Sequence, residues 1–144
     1  MRLPIPRISI FPLAAALLFA TPASAADRLP VFRPGLWEFK RSVDGGDGKP
    51  ATLTNQKCTS PTDDMNEKTE SLAQAGCQPS PVNKNGNMYS FSLKCTIQGV
   101  AIESKSLITV INDAAYEVDV ESKQGNSATR EKLIARRIGN CEIK

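Results

Sequence analysis

"VFRPGLWEFKRSV", residues 31 to 43, holds the only tryptophan in the chain. Trp37 stands two residues after Gly35 and three after Pro34. Trp37, Phe39 and Val43 share one parity while Glu38 and Lys40 take the other, the period of a strand with one buried face. The stretch therefore reads as the first strand of a β-rich fold, with the largest apolar side chain near its start. A wide ring in that position can close one end of a curled sheet against water.

Outward from this strand the period of two recurs. Tyr89, Phe91, Leu93, Cys95 and Ile97 alternate with Ser90, Ser92, Lys94 and Thr96. Val100, Ile102, Ile108 and Val110 continue the apolar face, with Ser104 and Ser106 at the same parity. Tyr116, Val118 and Val120 alternate with Glu117, Asp119 and Glu121, so the acids face water together. Ala51 to Cys58 is a more polar second strand, and residues 129–138 form the last. Asp44 to Gly48 is a flexible turn, Asn112-Asp113-Ala114 suits a three-residue hairpin loop and Gly125-Asn126 a two-residue one. The last loop places Glu121 across from Arg130 and Asp119 across from Lys132. Opposite charges directly across a sheet favour that register, which turns Leu133, Ala135 and Arg137 to the buried side.

Residues 1–25 read as a secretory leader. Arg2 and Arg7 precede an apolar run from Ile8 to Ala20, and Ala23-Ser24-Ala25 is a small-x-small cleavage site. The run is short for a membrane span. The expectation is a mature domain over residues 26–144 with no transmembrane segment, periplasmic or secreted and monomeric. Without the leader, 18 basic residues become 16 against 15 acidic ones. A net charge of +1 does not suit a nucleic-acid binder.

Four cysteines lie in the mature part, and an even count in an oxidising compartment reads as two disulfides with three possible pairings. A hairpin centred on Gly86 within Asn85-Gly86-Asn87 brings Cys77 opposite Cys95, which leaves Cys58 for Cys141. Zinc ligation and redox catalysis lack their spacing, since no two cysteines form C-x-x-C and the chain has no histidine. Pro79 and Pro81 share parity with Cys77, so a sheet edge or barrel gap is expected beside residues 77–82. One helix is expected after Ser60 as cap and Pro61 as first helical residue, with Asp63 completing a capping box and Gly76 ending it. Its apolar content is thin, so it should cover an edge or an opening.

"RPGLWEF" (33–39), "KCTSP" (57–61), two cysteines around a hairpin and "ARRIGNC" (135–141) resemble an exported bacterial family, domain-of-unknown-function family 3617. The resemblance covers nearly all of the mature chain and implies an exported β-rich domain, with no activity attached. Where that family often has Cys-Leu-Thr-Pro-Glu, this chain has Cys58-Thr59-Ser60-Pro61-Thr62 and lacks the acid. A weaker likeness, Gly35-Leu36-Trp37 on the first strand with an arginine near the end of the last, is to lipocalin-like barrels. That likeness implies a plug of Trp37 with Arg137 over its ring, Arg136 being the reserve. The expected fold is all-β, a curled antiparallel sheet or incomplete lipocalin-like barrel of about seven strands, with one short surface helix and two disulfides.

Conventional catalysis is poorly served by these residues. Without histidine there is no Ser-His-Asp or Cys-His nucleophile and no imidazole base. Asp63, Asp64 and Glu67 lie early in the helix, where acids answer its dipole, and Asp44 and Asp47 sit in a solvated turn without calcium-loop spacing. Glu38, Glu117 and Asp119 are turned to the surface by parity. The expectation is a non-enzymatic protein without metal or cofactor. It would bind a small apolar or amphipathic ligand in a pocket lined by Phe39, Tyr89, Phe91, Ser104, Ser106, Tyr116 and Val118. The alternative is an envelope interaction module or inhibitor with no pocket.

Overall fold

The computed structural model describes residues 28–142, so the expected leader lies outside the described residues. In chain order the elements are β1 (Gly35–Asp44), β2 (Ala51–Thr59), α1 (Pro61–Gln74), β3 (Gln78–Pro79), β4 (Asn83–Asn85), β5 (Met88–Ile97), β6 (Val100–Asn112), β7 (Ala115–Gln124) and β8 (Ser127–Gly139). They build one antiparallel sheet in the order β2-β1-β8-β7-β6-β5-β3, with β4 also on β5. First and last long strands pair, yet the sheet does not close, because β2 and β3 remain as edges.

The expected count of about seven strands comes out at eight, because Ser80 and Pro81 split the strand before β5 into β3 and β4. Pro79 and Pro81 have no N–H for a ladder, and Ser80 takes over: its N–H donates to the Ser92 carbonyl (2.8 Å) and its Oγ accepts from the Ser92 N–H (2.9 Å). The hairpin turns over Gly86-Asn87, since Asn85 pairs with Met88. Continued unbroken, that register would miss the cysteine pair by one residue. The slip is absorbed between β4 and β3, where Gln78 faces Lys94, and the bridges are Cys77–Cys95 and Cys58–Cys141. The β6–β7 loop is also tighter than its sequence suggested. Asn112 pairs with Ala115 and its Oδ1 accepts the Ala114 N–H at 2.8 Å, while a bulge at Ile111 takes up the extra residue.

The register of β7 on β8 sets Glu121 opposite Arg130 and Asp119 opposite Lys132. The same alternation sends Trp37, Phe39, Ile108, Tyr116 and Ala135 to one face. There Phe32, Trp37, Ile108, Tyr116 and Ala135 form the buried core, flanked by partly buried Leu29, Met65, Tyr89, Phe91 and Leu133. Trp37 is fully buried. Phe32 stands edge-on to it at 6.0 Å, Tyr116 is tilted against it at 5.7 Å and Phe39 stacks at 6.4 Å. Its indole N–H donates to the Arg33 carbonyl at 3.0 Å, so the polar atom is satisfied inside the core. Phe32, stacked on Tyr116 at 4.3 Å, adds to this cluster from the segment ahead of β1.

Gly35 explains how β1 enters. A Cβ there would lie 2.5 Å from Arg137 Nε and 2.6 Å from the Gly139 carbonyl oxygen, and φ is +155°. Arg137, directly across from Trp37, lays its guanidinium over this bare backbone, where Nε donates to the Pro34 carbonyl at 2.8 Å and Nη2 to Asn140 Oδ1.

α1 leaves edge β2 and ends at edge β3, bracketed by Cys58 and Cys77. Ser60 makes no side-chain cap, and the capping box expected from Asp63 is absent. Asp64 works instead one residue later, accepting from the Thr59 hydroxyl (2.6 Å) and Lys57 Nζ (3.1 Å). At the other end Gly76 (φ +91°) and Cys77 donate to the Ala73 and Leu72 carbonyls, a Schellman stop that only glycine makes without strain.

Gly35→Ala should destabilise the domain by about 2–4 kcal/mol, since backbone as well as side chain must shift; denaturant melts monitored by Trp37 fluorescence measure it. Cys77 and Cys95 are buried while Cys58 is exposed. Graded dithiothreitol with thiol trapping should therefore open Cys58–Cys141 first.

Candidate functional site

The concave face of the sheet is graded from one end to the other. Nearest the tryptophan, Phe39, Ala135, Tyr116 and Val110 lie side by side across four strands. The next row is Arg41, Leu133, Val118, Ile108 and Tyr89, and the one after it Val43, Glu131, Val120, Ser106 and Phe91. Beyond these, Ser122, Ser104 and Leu93 follow, with the two hydroxyls 2.7 Å apart. Apolar groups thus give way to hydroxyls with distance from Trp37.

A cavity of about 660 Å³ lies between this face and α1. Its floor includes Phe39, Phe91, Val118 and Leu133, and its helical side Met65, Thr69 and Leu72. β2 contributes Leu53, Asn55 and Lys57. Such a volume and mix are those of small-molecule sites. Two ion pairs stand in its wall: Arg41 Nε to Glu131 Oε1 at 3.0 Å, and Lys57 Nζ to Asp64 Oδ2 at 3.1 Å. Burial, with the Asp64 charge adding, pushes the Tyr116 phenol well above its ordinary range, so it stays protonated at neutral pH.

Of the residues expected to line a pocket, Phe39, Phe91, Ser104, Ser106, Tyr116 and Val118 line this cavity. Tyr89 packs on the core instead, under Lys84 Nζ at 5.3 Å from its ring. Trp37 and Arg137 are not among the residues that line the cavity. The helix and β2 contributions were missed. Leu53 and Lys57 share the inward parity of a strand too polar to show a face, and Met65, Lys68 and Leu72 follow helical spacing, a signal that was present but weak.

The opposite face carries a more open depression of about 700 Å³, crossed by alternating charges. Lys132 Nζ meets Glu117 at 2.8 Å and Asp119 at 3.4 Å, and Arg130 Nε stands 3.9 Å from Glu121. Glu38 is held by Arg136 at 2.6 Å and by Gln56 at 3.3 Å. The carboxylates expected at the surface are there, each beside a cation, and such exposed pairs add little stability. Hydrogen bonds from Arg136, then Gln56, hold the Glu38 carboxyl below its usual range, and the bond to Glu117 raises the Lys132 ammonium. No group of three or more potential metal ligands occurs among the described residues, and no helix among them is long and apolar enough to cross a membrane.

Fold and site together define a helix-covered, open antiparallel half-barrel with an internal cavity. The chain belongs to the family described as "Protein of unknown function (DUF3617)", whose profile matches residues 32–141. No curated protein and no solved structure matches it.

The Glu38–Arg136 link stabilises the fold above the carboxyl's unfolded pKa and is lost as pH falls through the lower folded value. An NMR titration of the Glu38 side chain should show a midpoint below that of ordinary glutamates, and Arg136→Ala should move it back up.

Proposed function

We propose that this protein is a non-catalytic binding module that holds a small apolar or amphipathic molecule between its concave sheet and α1, after export to the periplasm or cell exterior. The observation that carries the reading is the mostly apolar concavity of about 660 Å³ beneath the helix. A domain with so few buried side chains gains little from leaving that space open, since interiors otherwise pack to crystal-like density. The two disulfides are compatible with an oxidising compartment. A non-catalytic role is supported by the absence of histidine and by surface carboxylates that stand beside cations.

A second reading, docking of an envelope protein, is supported by β2. Its residues 51–58 are all exposed and one side of its backbone has no sheet partner among the described residues, the arrangement used when an extended segment adds to an edge.

A neutral fluorescent probe such as N-phenyl-1-naphthylamine should bind the monomer at one saturable site. Ser106→Phe, which places a ring in the cavity, should weaken binding at least about tenfold with the circular dichroism unchanged. Unsaturable probe binding, or full affinity in the variant, would transfer the case to the edge-docking reading.

A further inference from the structure

We propose that the molecule held in the cavity is a single-chain amphiphile with a negatively charged head, its chain against Phe39, Phe91, Val118 and Leu133 and its head at Lys68. The assignment rests on the binding reading above and adds to it the charge of the ligand.

Among the described residues, five charged side chains line the cavity: Arg41, Lys57, Lys68, Asp64 and Glu131. Both carboxylates are already engaged. Glu131 holds Arg41 at 3.0 Å, and Asp64 holds Lys57 at 3.1 Å while also accepting the Thr59 hydroxyl at 2.6 Å. Lys68, one helical turn beyond Asp64, makes no salt bridge among the described residues. The wall therefore carries one cation in excess, on a long flexible stem whose methylenes suit an apolar rim and whose ammonium can follow a head group.

Each head-group charge meets this arrangement differently. A cationic head would have to displace Arg41 or Lys57 from a formed bridge and would be repelled by Lys68. A neutral head gains nothing from the excess charge. An anionic head meets Lys68 without breaking any pair. The chain has its own place, since the floor toward Trp37 is apolar. Carboxylate and phosphate heads share this chemistry.

Isothermal titration of the full mature protein with dodecanoate, dodecyl phosphate, dodecanol and dodecyltrimethylammonium tests it. Both anions, or one of them, should bind about three- to fivefold tighter than dodecanol at low salt, with the gap closing as salt rises. An advantage for one anion alone identifies the head group. Lys68→Gln should abolish the gap between the anions and dodecanol, and Lys68→Arg should keep it. Equal affinity for dodecanol and the anions, tighter binding of the ammonium compound, or an anion advantage that survives Lys68→Gln overturns the charge assignment and leaves the cavity reading standing. If none of the four compounds binds, the cavity reading falls and this assignment with it.

Discussion

At Gly35 the backbone of β1 meets the Arg137 guanidinium and the Gly139 carbonyl so closely that no side chain fits between them. Much of the architecture follows from that approach. It joins the first long strand to the last, which makes β1 and β8 interior neighbours and leaves β2 and β3 as edges. It also fixes the level at which Trp37 enters the concave face, where Phe32, Phe39 and Tyr116 surround the indole. Burying one indole stabilises by about 5 kcal/mol on area grounds, a large share of what a domain this size possesses.

The rest of the sheet has little core to hold it, and covalent links stand where the sheet is weakest. Cys58 lies on edge β2 and Cys77 beside edge β3, each bridged to a residue far along the chain. In the loop-entropy picture, sequence separations of 83 and 18 correspond to about 4–5 and about 3 kcal/mol. The same two cysteines flank α1, so the bridges that secure the edges also tether both ends of the helix over the cavity. A lid anchored at both ends can lie over empty volume without packing tightly into it.

Much of the fold was legible in the sequence because strand parity is a local property. Alternation in Tyr89–Ile97 and Tyr116–Glu121, the Gly125-Asn126 turn and the charge pairs of Asp119 with Lys132 and Glu121 with Arg130 are written within a few residues of one another. The same parity placed Ser104 and Ser106 on the inner face together with Phe39 and Val118. What parity could not foresee was interruption. The break at Pro81 and the bulge at Ile111 each shift a register by one residue, and both depend on how neighbouring strands compensate. Local spacing put Asp63 at the helix start, and only the position of Lys57 and Thr59 on β2 selects Asp64 instead.

The sequence by itself determined the class of fold, the two cysteine pairs and the buried tryptophan, because each follows from spacing along one chain segment or across one hairpin. Tertiary structure alone decided the cavity. Its wall sets β2 and α1, whose separate patterns are too polar or too thin to announce a shared surface, against the inner faces of β1 and of β5 to β8. Strand curvature and the placing of a helix across two open edges are collective properties of the whole sheet, and no local period of two or of 3.6 encodes them.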